Sequence, residues 1–211
     1  MVIPLCPFFY ICIITYITIM RYLYLLLIAV FVFSCSRKYK NPHVEIQTEL
    51  GDIEVELYPD QAPKTVAAFL SHVDSGYYKR CSFYRVLNTD NQSSDAPKAE
   101  LIQGGIYKTA SAKFHPAFVP HETTQQTHIL HKDGTISMAR NEPGTATSEF
   151  FICIGDQPGF DYGGENNADG QGYAAFGKVV KGMDVVRKVY NSKEDNTSFE
   201  PPVMIMNIVR L

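Results

Sequence analysis

From Val44 to the C-terminus, short runs of alternating apolar and polar residues recur at close intervals, and few folds can absorb so many of them in one chain. Val44, Ile46 and Thr48 alternate with polar neighbours, Leu50-Gly51-Asp52 interrupts the run, and Ile53, Val55 and Leu57 resume it, which is the pattern of a β-hairpin. Further strands are predicted at 83–87, 101–105, 135–139, 150–154, 174–180 and 203–211. Two segments have helical spacing instead. Pro63 opens the first at a position where its missing N–H costs nothing, Val66, Phe69, Leu70 and Val73 form an apolar stripe, and Gly76 stops it. The second spans 183–190, with Val185, Val186 and Val189 facing inward. Many short strands with only two helices predict a mainly β domain built as a closed antiparallel barrel. The connections at 88–100 and 155–172 are long and rich in Asn, Asp, Ser, Pro and Gly, so they are candidates for shaping a site.

Four separated blocks stand in a fixed order within this pattern: Ser82-Phe83-Tyr84-Arg85, Ile102-Gln103-Gly104-Gly105, Ile136-Ser137-Met138-Ala139 and Thr147-Ser148-Glu149-Phe150-Phe151-Ile152-Cys153-Ile154. A fifth follows, Phe176-Gly177-Lys178-Val179-Val180-Lys181-Gly182-Met183. Together they resemble the cyclophilin family of peptidyl-prolyl isomerases over roughly 44–211. The resemblance implies an eight-stranded closed antiparallel barrel capped by a helix at each end. It also implies catalysis of rotation about Xaa-Pro bonds, without a cofactor, in proline-containing segments of folding proteins.

That reaction makes and breaks no covalent bond. The planar amide owes its barrier of about 18–20 kcal/mol to C–N resonance. In the twisted state the proline nitrogen recovers its lone pair and becomes a hydrogen-bond acceptor, so a donor aimed there binds the transition state and barely touches the ground state. Arg85 matches the family's catalytic arginine, a guanidinium that stays charged and offers a rigid fork of N–H groups. Gln103 matches the glutamine that orients it and bonds the substrate backbone. By the same resemblance Phe83, Leu101, Phe151 and Phe160 are expected to wall the proline pocket, with Tyr173 at its rim. Ala139 and Arg140 match a pair whose main-chain groups bond the peptide. Phe150 and Phe151 are adjacent on a strand and point to opposite faces, so one belongs to the core, and the resemblance selects Phe151 for the pocket.

Departures from the family pattern concentrate around the site. Glu149 stands where glutamine is usual, Tyr173 where histidine is usual, Glu100 near a usual pocket phenylalanine, and Gly159 where many eukaryotic members carry tryptophan, a residue this chain lacks altogether. The segment between Arg85 and Gln103 is also longer than in short family members. These departures leave a second reading open, a peptide-binding or chaperone-like module that keeps the groove and has lost useful turnover.

The N-terminus carries a different message. From Met1 to Phe33 the only charged side chain is Arg21, and Ile, Leu, Phe, Tyr and Val dominate. Met20-Arg21 followed by an apolar 22–33 and Val32-Phe33-Ser34-Cys35 reads as a bacterial lipoprotein signal, with residues 1–34 removed, Cys35 lipidated, 35–42 a linker and 43–211 the isomerase domain. On this reading Met20 alone begins a complete signal, and residues 1–19 represent an over-called start. The same stretch can be read as an uncleaved anchor helix. Either way the domain is expected on the bacterial cell envelope, membrane-attached and periplasmic or surface-exposed. Without Arg21 the chain has 18 basic against 22 acidic side chains and no long basic run, which argues against nucleic acid as a partner.

Cys81 and Cys153 are the domain's cysteines. Cys153 lies in an apolar run where a free thiol behaves as a small hydrophobe, although pairing with Cys81 stays open in an oxidising compartment. His121, His128 and His131 lack the companions of a recognised metal set. The 165–170 turn has Phe176 at the twelfth position, where a calcium loop requires a bidentate Glu.

Overall fold

The computed structural model describes residues 16–22, 24, 39–107, 109 and 113–211. Residues 1–39 and 40–211 are separate compact units. In the first, residues 16–22 are helical, and no described helix is long and apolar enough to cross a membrane. Cys35 and the proposed cleavage point lie outside the described residues.

The second unit is a barrel of strands β1 (His43–Thr48), β2 (Gly51–Leu57), β3 (Cys81–Leu87), β4 (Leu101–Gly105), β5 (Thr135–Met138), β6 (Phe150–Cys153), β7 (Ala174–Lys181), β8 (Glu194–Asp195) and β9 (Ser198–Arg210). The order β1-β2-β7-β5-β6-β4-β3-β9 closes when β9 pairs back onto β1. All these pairings are antiparallel. Eight strands thus form the closed wall, as expected, while the two-residue β8 hangs on β9 as an extra ribbon. Closure removes the unpaired edges that an open sheet of this size would expose.

Two helices hold the predicted positions. Helix α1 (Pro63–Asp74) buries Val66, Phe69, Leu70 and Val73 and ends before Gly76. Its N-terminus has no side-chain cap of its own. Instead Glu122 reaches in from a distant loop and accepts hydrogen bonds from Lys64 N (3.2 Å), Thr65 N (2.8 Å) and Thr65 Oγ1 (2.7 Å). A carboxylate there satisfies otherwise orphaned N–H groups and complements the positive end of the helix dipole. A one-turn helix α2 (Thr124–Thr127) and a 3-10 turn at Pro158–Phe160 go beyond the expected pair. Helix α3 (Met183–Tyr190) buries Val185, Val186 and Val189.

The barrel interior is filled by Phe69, Tyr78, Phe83, Phe150 and Phe176 among branched aliphatics. Phe150 meets Phe69, Tyr78 and Phe83 edge-on at centroid distances of 5.8, 5.7 and 5.9 Å, an arrangement favoured by the ring quadrupole. Tyr78 satisfies its buried hydroxyl by donating to Ser148 O at 2.9 Å. Cys81 and Cys153 are both buried free thiols, and burial pushes both well above the usual thiol range, which suits the inert role.

Phe83 corrects the sequence reading. It is fully buried in the barrel core and does not reach the pocket. A strict period of two would put Phe83 and Arg85 on one face, but the β3–β4 ladder pairs Phe83 with Gly104 and Arg85 with Gln103, leaving Tyr84 as an extra residue. This bulge inverts the alternation, so Phe83 and Val86 point inward while Arg85 is exposed. Gly104 is what lets the two strands close there, since a Cβ would stand 2.8 Å from the Phe83 ring and 2.9 Å from Ser82 O.

Candidate active site

The outer faces of β3, β4 and β6, together with the loops beside them, line a cavity of about 750 Å³. Arg85, Leu101, Gln103, Ala139, Arg140, Phe151, Phe160 and Tyr173 all border it. Of the residues the sequence nominated in the barrel domain, only Phe83 is elsewhere.

Strand alternation builds the apolar floor. Phe151 faces outward from β6 and is packed by Phe160 at 5.2 Å and by Tyr173, edge-on, at 5.4 Å. Ala99, Leu101 and Cys153 complete a small cluster separate from the barrel core. A floor of this kind binds a proline ring by removing apolar surface from water, worth about 1.5–3 kcal/mol for a ring of that size. Ala99, which the sequence did not single out, borders the cavity, whereas Glu100 turns away to accept a hydrogen bond from the Tyr190 hydroxyl.

His131 supports the floor from behind. Its ring stacks on Phe151 at 5.9 Å, with Nδ1 2.8 Å from Asp161 Oδ1 and Nε2 3.0 Å from Ser137 Oγ. Both ring nitrogens are therefore committed to protein groups, and among the described residues no cluster of His, Cys, Asp or Glu is arranged to hold a metal ion. Nothing in the His-rich spacing distinguished this buttressing role.

At the mouth of the cavity Arg85 Nη1 donates to Gln103 Oε1 at 3.2 Å, and Gln103 Nε2 donates to the Tyr84 hydroxyl at 2.7 Å. The bulge makes this possible, because it turns Tyr84 and Arg85 outward together beside Gln103. Tyr84 in turn interacts with Glu149, and burial together with that carboxylate raises its phenol far above the usual range. Glu149 Oε1 accepts from Ile106 N (2.9 Å), Tyr107 N (3.3 Å) and Ser148 Oγ (3.1 Å). Burial nonetheless raises the Glu149 carboxyl above its ordinary value. Gly105, at φ +149°, admits the carboxylate, since a Cβ there would lie 2.4 Å from Glu149 Oε2.

The remaining rim is held by Arg140. Its guanidinium forks onto Asp169 at 2.7 and 2.9 Å, donates through Nε to Gly172 O at 2.9 Å, and lies 5.1 Å over the Tyr173 ring. This bidentate bond keeps the Asp169 carboxyl below the usual range. Arg140 thus ties the 163–172 loop to the cavity, a side-chain role in addition to the main-chain one expected. Ala139 N–H is engaged by Glu149 O at 2.8 Å, so position 139 can meet a peptide only through its carbonyl. The long 88–100 loop supplies Gln92, Ala96 and Pro97 to the opposite wall. It is pinned by Gln92, which donates to Ala99 O at 2.8 Å and accepts from Ala99 N at 3.1 Å. A side chain at Gly159 would have to displace Asn166, because a Cβ there would sit 1.6 Å from Asn166 Oδ1. Asn166 fills that space and bonds across to Pro97 O at 3.1 Å.

The arrangement offers a cationic donor restrained by Gln103 beside an apolar ring-sized floor. Comparisons with known proteins agree with it. Residues 43–210 match the family described as cyclophilin type peptidyl-prolyl cis-trans isomerase/CLD. A peptidyl-prolyl cis-trans isomerase of Acinetobacter baylyi is 37% identical over 152 residues, covering 72% of this chain and 73% of the relative. The peptidyl-prolyl cis-trans isomerase B of Escherichia coli is 34% identical over 147 residues, covering 69% and 82%. A Cryptosporidium parvum cyclophilin-type isomerase, crystallised in the presence of the dipeptide Ala-Pro, superposes with a TM-score of 0.62 at 26% identity, covering 79% of this chain and 97% of that one. By its strand order, its site and these relatives, the chain belongs to the cyclophilin-type family and is a peptidyl-prolyl cis-trans isomerase.

Proposed function

We propose that this isomerase acts on Xaa-Pro bonds of proteins folding at the bacterial cell envelope, with Arg85 as the donor to the twisted amide nitrogen and Cys35 as a lipidated membrane tether. The observation that carries the catalytic part is the Arg85–Gln103 hydrogen bond at the edge of the Phe151–Phe160–Tyr173 floor. A proline ring seated on those aromatics holds one side of the bond still. Gln103 bonds the peptide backbone and restrains the guanidinium, so the donor is in place before the amide twists. Uncatalysed rotation takes tens to hundreds of seconds. An acceleration of about five decades requires roughly 7 kcal/mol. One charge-assisted hydrogen bond supplies about 1.5–3 kcal/mol, and the apolar, preorganised cavity supplies the rest by fixing the substrate and excluding water.

The substrate reading rests on the apolar floor and on the Ala-Pro dipeptide named for the Cryptosporidium relative. The envelope reading rests on the 20–35 leader pattern. Isomerisation of a short Xaa-Pro peptide by residues 36–211, together with fractionation of the full chain into membranes, tests both parts. Absence of turnover would overturn the first, and a soluble full-length chain the second.

A further inference from the structure

Glu149 departs in this chain from the family pattern, and Tyr84 borders the same cavity. Gln103 lines that cavity too, its Nε2 donates to the Tyr84 hydroxyl, and the Glu149 carboxylate acts electrostatically on that hydroxyl. One carboxylate oxygen is held by two backbone N–H groups and Ser148. The other, Oε2, is sealed from solvent with no partner at normal hydrogen-bond distance. Besides Ser148, the Tyr84 hydroxyl acts on this carboxylate. A buried carboxylate oxygen left without a hydrogen-bond partner costs stability.

We propose that Glu149 is a positioning residue for the isomerase reaction: through the Tyr84 hydroxyl it fixes Gln103, and so the guanidinium of Arg85. The inference rests on the reading of Arg85 as the donor to the amide nitrogen. With Glu149 ionised, the Tyr84 O–H turns toward the carboxylate, which leaves its oxygen lone pair facing Gln103 Nε2. Gln103 is then locked in the one amide orientation that presents Oε1 to Arg85. Without an acceptor behind Tyr84, its proton competes with Gln103 Nε2 for the same space, and the amide is free to flip and present Nε2 to a cation. When Glu149 takes up a proton, its own O–H competes for the Tyr84 oxygen, and the lock loosens. Catalysis should therefore decline as acid protonates Glu149, in a range shifted upward from that of an exposed carboxylate because burial favours the neutral form.

Other titratable groups surround this carboxylate. Tyr78 and Cys81 feel its charge from the barrel side, Tyr84 lies against it with Arg85 close by on the same strand, and Tyr107 and His115 share a second, smaller cavity with it. The profile of an E149Q variant separates Glu149 from these, since glutamine keeps an acceptor for the Tyr84 hydroxyl and cannot ionise.

The test uses the full-length chain in detergent, with kcat and KM measured separately across acidic to neutral pH. Tyr84→Phe and Glu149→Leu should each lower kcat about tenfold, the coupling expected of neighbours in one network, with KM within about twofold. Glu149→Gln should restore most of kcat and flatten the acid decline. In an Arg85→Ala background, Tyr84→Phe should have no further effect. Should Glu149→Leu fail to fold, Tyr84→Phe carries the test alone, because it removes a single hydroxyl. Full activity of Tyr84→Phe, a loss that multiplies with that of Arg85→Ala, or an acid decline that persists in Glu149→Gln would each overturn the proposal. An Arg85→Ala variant as active as wild type would instead overturn the underlying reading of Arg85.

Discussion

Replacing Arg85 with alanine is the most direct perturbation of the catalytic argument. Arg85 is exposed, and a single 3.2 Å bond to Gln103 restrains it, so little of the fold depends on it. The loss should therefore fall on catalysis. A charge-assisted hydrogen bond contributes about 1.5–3 kcal/mol, which converts to roughly a 10- to 150-fold change in rate. Removal of a preorganised transition-state donor from an apolar site costs about 10²–10³-fold, so a drop in kcat/KM of about 100-fold is expected. The drop should appear in kcat with KM nearly unchanged, because the nitrogen offers its lone pair only in the twisted state. Arg85→Lys should recover only part of the rate, since an ammonium is a point charge without the planar fork that bonds Gln103 and a substrate together. The assay is cis to trans conversion of an Xaa-Pro peptide near 10 °C, where the uncatalysed background takes minutes. A kcat for Arg85→Ala within twofold of wild type would refute the mechanism.

Other consequences separate core from pocket and domain from leader. Phe83→Ala should lower stability by about 3–5 kcal/mol, as for large buried aromatics, while peptide KM in the folded fraction stays unchanged; Phe151→Ala should raise that KM, and thermal melts with peptide titrations distinguish the two. His72 is buried with Nδ1 unpartnered, and burial depresses its pKa below 6.5. The unfolded chain then binds the proton first, so stability should fall as pH drops through about 6.5 toward the depressed folded value, and Asn at position 72 should flatten that part of the melting-temperature profile. A fatty-acid probe should label the protein in cells through Cys35, and Cys35→Ser should abolish both label and processing; an unlabelled full-length wild-type form would point to an anchor helix.

Much of the architecture is legible in one dimension because it depends on local period. Alternation in 44–57, the Pro63 to Gly76 punctuation and the Val185-Val186-Val189 stripe each name an element and its buried face, since burial acts on every second residue of a strand and every third or fourth of a helix. Phe150 and Phe151 show how far this extends: adjacency alone sends one to the core and one outward, and the structure does so. The pocket role that the resemblance implied for Phe83 did not hold, because a single extra residue, Tyr84, reverses the phase of the strand between Phe83 and Arg85. That bulge depends on the partner strand, with Gly104 giving close approach and Gln103 pairing with Arg85, and no window around Phe83 contains those residues. Long-range closure likewise decided what the unusual side chains do. Glu122 caps a helix about sixty residues upstream in the chain, Arg140 clamps the 163–172 loop through Asp169, His131 buttresses Phe151, and Asn166 occupies the space beside Gly159. The sequence determined which residues alternate and which blocks recur, because those are properties of neighbours along the chain. Only the closed barrel decided which polar groups meet, because a buried hydrogen bond or ion pair requires two distant segments to arrive at one point with their donors and acceptors matched.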